Sequence, residues 1–299
     1  MQILSGMDIK LTNTAVTLGK FDGIHRGHKM LLDRIIAEKD LTSVMFTFDM
    51  HPRNLFSEEG ISLIETEEER ERYLKNTGLD YLVLFPFTKE TASMEPEEFI
   101  REILAGKLGA KLVVVGTDFR FGKNRSGDTE TLKEFSSKYG FETVVYDKLF
   151  IEGIEVSSTE VRKAVTEGDV SLAGKLLGRP YSIFGTVIRG RSLGHTVGMP
   201  TANQALPAEK LIPPYGVYAT DVCIDDRIFR GVTNIGVKPT VGAEPAPLAE
   251  TLILDFDGDL YGKQIELRLL KFLRPERKMA SLEEVKDQVE KDAYAARCL

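Results

Sequence analysis

Residues 19–28 read GKFDGIHRGH, and they hold two of the four histidines in a chain of 299 residues. The run before them, 15–21 (AVTLGKF), is strand-like, and the run from 28 to 39 (HKMLLDRIIAEK) carries apolar residues at helical spacing. Strand, glycine-punctuated loop and helix in that order open a β–α unit, and the alternation continues downstream. Stretches 42–48, 80–87, 111–116 and 143–151 read as further strands, with helical patterns at 66–76, 96–109 and 128–140 between them. Apolar strands separated by helices predict a doubly wound parallel sheet covered on both faces. Ligands of such sheets sit beyond the carboxyl ends of the strands, which is where residues 19–28 fall.

The pattern changes after the helical stretch 158–178. Residues 181–190, 216–224, 227–236, 249–256 and 263–273 follow one another with glycine- and aspartate-bearing turns and no helix between. They predict an antiparallel sheet or small barrel. A final helix over 281–298 opens with Ser281 as N-cap and Glu284 three residues on, the pattern of a capping box. The boundary falls at Gly178–Tyr181, giving domains 1–178 and 179–299.

Composition narrows the class. Hydrophobic content of 42% and charged content of 28% describe a globular chain that can bury a sizeable core. A net charge of -7 argues against nucleic acid as partner, since such proteins carry a basic bias. No run of about 18 apolar residues is present, so no membrane span is expected. Cys223 and Cys298 are the only cysteines and imply no disulfide framework. The start lacks the pattern of a secretory signal and the end lacks the shape of a prenylation box, so the expected location is cytoplasmic.

The chemistry of residues 19–28 follows from their types. Gly19, Gly23 and Gly27 permit tight turns and close approach of backbone to a ligand. A helix starting near Gly27 or His28 would point free N–H groups at an anion, and His25 and His28 add donors that can follow charge on a phosphate. The plainer alternative is an ordinary βα turn with two surface histidines. In the second half, GRSLGHTVGMPTANQ (190–204) places Gly190, Gly194 and Gly198 where main chain can wrap phosphates. Thr201 and Asn203, two residues apart, offer neutral oxygens on one side of an extended chain, a donor set that suits Mg²⁺; a plain Pro-Thr turn is the alternative.

Here the motifs resemble a known family. HRGH (25–28) is similar to the H-x-G-H motif of nucleotidylyltransferases, and GKFDGIHRGH to its longer form in the bacterial bifunctional riboflavin kinase/FAD synthetases. VSSTEVR (156–162) resembles that superfamily's I-S-S-T-x-I-R signature, and PTAN (200–203) the hallmark of riboflavin kinases. GVTNIGVKPTVG (231–242) and LDFDGDLYG (254–262) extend the match in the family's order.

The resemblance implies a Rossmann-like N-terminal domain and a C-terminal β-barrel kinase domain with a terminal helix. It implies two activities: MgATP-dependent phosphorylation of riboflavin to FMN and ADP, then adenylylation of FMN to FAD and pyrophosphate. By the same likeness His25 and His28 steady the α-phosphate, with Gly19, Phe21, Asp22 and Gly23 in the nucleotide loop. Ser158, Thr159 and Arg162 bind triphosphate. Asp118, Phe119, Arg120 and Asn124 lie on the flavin side, Thr201 and Asn203 hold the kinase metal, and Glu250 is its base. Gly190, Gly194, His195 and Gly198 contact phosphate.

Some positions depart from the family pattern. Met50 stands where the family's T-F-x-P-H-P stretch has its first proline, beside His51. Leu252 replaces a histidine common in relatives, and two prolines enter the loop before Glu250. The competing functions are one active domain only, a flavin-binding sensor without turnover, and a nucleotidylyltransferase for another substrate.

Overall fold

The computed structural model describes residues 1–49, 62–189, 201–238 and 246–299. It divides into two compact units, 1–157 and 158–299.

Among the described residues the first unit is built on β1 (Gln2–Ser5), β2 (Thr14–Leu18), β3 (Thr42–Phe48), β4 (Tyr81–Phe85), β5 (Ala110–Gly116) and β6 (Glu142–Tyr146). They form one parallel sheet in the order β1-β4-β3-β2-β5-β6. Successive side chains point to opposite faces, so the apolar strands sort into two cores. Val16, Leu18, Val44, Phe46, Val113 and Val115 pack on one face, with Phe99, Ile100 and Leu132 from the covering helices. Ala15, Met45, Leu82 and Val114 pack on the other, against Leu31, Leu32 and Ile35 of α1 (Arg26–Ile36) and Leu74 of α2 (Glu67–Lys75). The doubly wound parallel expectation holds.

Details differ where local signals were weak. β1 is a mostly exposed four-residue edge strand that hydrophobic patterning passes over. The expected strand 143–151 is two: β6 ends at Tyr146, and Phe150–Ile151 forms β7 of a hairpin with β8 (Ile154–Glu155). The turn between them contains Glu152 and Gly153, both at positive φ. After the short α3 (Lys89–Ala92), α4 (Pro96–Phe99) runs on as a π-helical stretch Ile100–Lys107, so the expected helix 96–109 widens part-way. Beyond β5, α5 (Thr129–Tyr139) is capped at its start by Asp128 and ended by Gly140 at φ 73.

The second unit begins with α6 (Ser158–Thr166) and α7 (Val170–Leu177). A closed antiparallel barrel follows, from β9 (Tyr181–Ile188), β10 (Thr201–Ala205), β11 (Gly216–Ile224), β12 (Arg227–Lys238), β13 (Ala246–Ile253) and β14 (Gln264–Arg274). Its order is β10-β13-β12-β11-β14-β9, closed by the β9–β10 pair. Antiparallel strands without intervening helices thus close rather than leave exposed edges. On the inner face Thr220, Thr233 and Thr251 link hydroxyl to hydroxyl at 2.9 Å across three strands. On the outer face Val217, Ala219, Val232 and Leu254 pack with Ala293 and Ala296 of α8 (Leu282–Arg297). Ser281 caps α8 as expected, accepting from Glu284 N, but Glu284 reaches back to Ala280 N instead of closing the box on Ser281.

Contacts divide the chain at Ser157/Ser158, ahead of the 178/179 boundary read from pattern, because α6 and α7 pack with each other and α7 packs with β14 and β9.

Candidate functional site

Two places gather the residues singled out by sequence, one in each unit. In the first unit, β2 is the strand flanked by β3 on one side and β5 on the other. The chain therefore winds in opposite senses on either side of β2, and its carboxyl end faces the crevice where such sheets bind ligands. Residues 19–28 leave β2 at that point.

The loop is held in an uncommon shape. Phe21 sits at φ 47 and is 1% exposed, its ring edge-on to the His28 imidazole at 4.9 Å between centroids. Gly23 lies at φ 68, and a Cβ there would stand 2.5 Å from Ile64 Cγ2. Only glycine meets both conditions without strain. Gly19 and Gly27 make room within the protein: a Cβ on the former would meet the Phe21 ring at 3.1 Å, and on the latter the His25 ring at 3.2 Å.

Two carboxylates tie the loop to residues 64–65. Asp22 Oδ1 accepts from Ile64 N at 2.8 Å, and Glu65 Oε2 accepts from Ile24 N at 2.9 Å. The nucleotide-loop motif marks Asp22 but not Glu65, whose partner lies 41 residues away at no telling sequence spacing.

His25, 7% exposed, is the N-cap of α1, so the helix begins at Arg26, slightly earlier than expected. Its Nδ1 accepts from His28 N at 3.2 Å. A ring nitrogen that accepts carries no proton, which places the neutral imidazole's proton on Nε2 as a donor. The two imidazoles stack at 3.6 Å between centroids with planes 16° apart. The α1 N-terminus and both rings thus meet at one point, an arrangement suited to an anion.

Because β5 runs parallel to β2, the loop after it leaves from the same sheet edge. It carries Asp118, Phe119, Arg120 and Asn124. Phe121 and Gly127 exchange backbone hydrogen bonds at 3.0 Å and close the loop. Phe119 stacks on Phe121 at 5.5 Å, while Asp118, Arg120 and Asn124 are exposed. Asn124 and Arg125 adopt φ 53 and 60, a sharp turn at the loop's tip. The backbone N–H of Thr131 above all holds the carboxyl of Asp128, which ends the loop, below the usual range. His51 lies outside the described residues.

Ser158 opens α6 as expected, with Thr159 and Arg162 on its first turns. All three belong to the second unit.

The barrel holds the second site. The polar segment 201–205, expected only as extended chain after a loop, is strand β10 and pairs with β9 and β13. The register sets Asn203 opposite Glu250, and Glu250 opposite Asn234 of β12. Directly opposed residues share a face of the sheet, so these three form a row on the outer face, opposite the threonine hydroxyls. Thr201, two residues from Asn203, shares that face and opposes Leu252, which packs against the apolar cluster under α8. The histidine-to-leucine departure thus falls on a packing position.

Asn203 is 5% exposed, and its Oδ1 is buried with no hydrogen-bond partner among the described residues. Such an oxygen costs free energy unless a ligand satisfies it. A neutral carbonyl oxygen beside the Thr201 hydroxyl and a carboxylate is a donor set that fits Mg²⁺ carried on a nucleotide. Gly190, Gly194, His195 and Gly198 lie outside the described residues. No local motif marks Asn234 within GVTNIG, since β12 also carries Arg227, Arg230 and Thr233; it lies on the face that also holds Val232 and Gly236.

Known proteins match this arrangement in both halves. Residues 8–160 match the FAD synthetase family and residues 177–299 the riboflavin kinase family. The bifunctional riboflavin kinase/FMN adenylyltransferase of Escherichia coli (strain K12) is 37% identical over 287 residues, covering 94% of this chain and 91% of the relative. That of Bacillus subtilis (strain 168) is 35% identical, covering 95% and 91%. A crystal structure described as a macrolide-efflux protein from Streptococcus pneumoniae superposes with a TM-score of 0.88 at 32% identity, covering 98% of this chain and 99% of that one. Among the described residues no helix is long and apolar enough to cross a membrane.

Proposed function

The chain belongs to the bifunctional riboflavin kinase/FMN adenylyltransferase family, and from that premise we propose that its barrel phosphorylates riboflavin and its parallel-sheet unit adenylylates the FMN produced. The observation that carries the kinase half is the register that sets Glu250 beside Asn203. A base and a metal-holding oxygen must flank the same phosphoryl group, and adjacent strands fix that spacing. Thr201 and Asn203 would hold Mg²⁺, which offsets phosphate charge when bound with ATP. Glu250 accepts the proton of the ribityl 5′-hydroxyl as that oxygen bonds to the γ-phosphorus and the bond to the β–γ bridging oxygen breaks, releasing ADP. Gly190, Gly194, His195 and Gly198 are assigned to the phosphates of this ATP.

In the other unit a phosphate oxygen of FMN attacks the α-phosphorus of ATP and pyrophosphate leaves. No proton has to move. His25 and His28 donate to the α-phosphate oxygens as charge grows there, with the N–H groups at the α1 start beside them. Gly19, Phe21, Asp22 and Gly23 shape that loop. By the family resemblance Ser158, Thr159 and Arg162, at the start of α6, are assigned to triphosphate. Asp118, Phe119, Arg120 and Asn124 face the flavin. The catalytic modules are proposed to meet at 178/179, and the proposed location is the cytoplasm.

The test is a chromatographic time course of flavins after mixing the chain with riboflavin and MgATP. FMN should rise first and FAD follow. FMN without FAD would leave the kinase alone standing, and flavin bound without ATP consumption would favour a sensor.

A further inference from the structure

Asn234 neighbours Glu250 on the side away from Asn203. Its Nδ2 donates to Glu276 Oε1 at 2.8 Å, while its Oδ1 is buried with no hydrogen-bond partner among the described residues. The orientation of this amide is not arbitrary. An ionised carboxylate only accepts, so Glu276 must face the NH₂ group and the carbonyl oxygen must point the other way. Gly236, on the same face of β12, leaves the space that Glu276 occupies, since a Cβ there would overlap the Glu276 carboxylate. Strand, glycine and carboxylate thus hold one buried acceptor beside the base.

An unsatisfied acceptor there calls for a donor from the ligand. In-line transfer places the attacking oxygen and leaving group on opposite sides of phosphorus. With the metal-holding oxygens on the Asn203 side of Glu250, the alcohol's carbon chain extends toward Asn234. We propose that Asn234 is a specificity-determining residue of the kinase site, its Oδ1 accepting a hydrogen bond from a secondary hydroxyl of the ribityl chain, and that Glu276 is the positioning residue that keeps that oxygen turned to the substrate. This rests on the riboflavin kinase reading. A site built to bond a hydroxyl discriminates strongly against an analogue without it, because its own polar group is then left unpaired.

The experiment measures riboflavin phosphorylation by the full chain at saturating MgATP, for wild type, Asn234→Ala and Glu276→Gln, against riboflavin and its 2′-, 3′- and 4′-deoxy analogues. Asn234→Ala should lower kcat/KM for riboflavin about tenfold. In wild type one deoxy analogue should lose a similar factor, and in Asn234→Ala that analogue should lose nothing more. Glu276→Gln, at an exposed position, should give a smaller loss with the same analogue dependence, because a Gln amide lets Asn234 turn over. It carries the test even if Asn234→Ala folds poorly. Losses that simply multiply for every analogue overturn the proposal. An inactive wild type would remove the kinase reading with it; an active wild type that needs Glu250 yet shows multiplicative losses removes the proposal alone.

Discussion

At the scale of single residues, the first site depends on backbone conformations that one methyl group can upset. Gly23 combines φ 68 with a neighbour 2.5 Å from where a Cβ would sit. Gly23→Ala should therefore cost roughly 1–2 kcal/mol for the left-handed backbone, plus a separate cost for displacing Ile64. Thermal melts of Gly23→Ala and of Gly23→Ala with Ile64→Ala separate the two. The second substitution should relieve the collision but not the backbone strain, so part of the loss should persist beyond what Ile64→Ala loses alone. FAD formation should fall in Gly23→Ala while FMN formation continues, because the strained turn sits in the histidine loop and not in the barrel. A melting temperature equal to wild type would remove the strain argument.

At the scale of elements, α8 is tied to the barrel by more than its apolar face. Arg274, at the end of β14, donates from Nε and Nη2 to the Asp292 carboxylate, with Nη2 to Oδ2 at 2.8 Å. The Asp292 side chain is 6% exposed and that of Arg274 20%, and Gln288 Nε2 adds a hydrogen bond to the same carboxylate at 2.9 Å. Removing one partner of a buried pair leaves the other charge uncompensated, so Asp292→Ala should destabilise the barrel by about 3 kcal/mol. A lower urea midpoint of its unfolding would record this, and an unchanged midpoint would mean that the apolar contacts of Ala293 and Ala296 suffice. The elements also show what a sequence carries. β2 to β5 were legible because buried parallel strands are continuous apolar runs, and α1 and α8 because their apolar stripe has the helical period. β10 was not, because TANQA is short and polar and becomes a strand only through its neighbours. The site residues divide the same way. His25, His28, Thr201 and Asn203 are marked by local motifs, whereas Glu65 and Asn234 acquire their place from partners distant in sequence, Ile24 and Glu250, through tertiary contact and strand register.

At the scale of the whole molecule, two chemistries lie in one chain, with the histidine loop and the Asn203–Glu250 row in separate compact units. His28→Ala should make FMN from riboflavin but no FAD, and Glu250→Gln should make FAD only when given FMN. Neither variant alone can carry riboflavin to FAD. A mixture of the two should do so, because each supplies the step the other lacks and FMN can diffuse between chains. FAD should then appear after a lag, while FMN accumulates to the KM of the adenylylating unit, and the lag should lengthen on dilution of the proteins. A mixture that forms FMN without FAD, although Glu250→Gln still converts added FMN at comparable concentration, would mean that the product of the barrel does not reach other molecules. The dilution series distinguishes these outcomes: transfer through solution depends on protein concentration, whereas hand-over within one molecule does not, and only wild type could then show a lag independent of dilution.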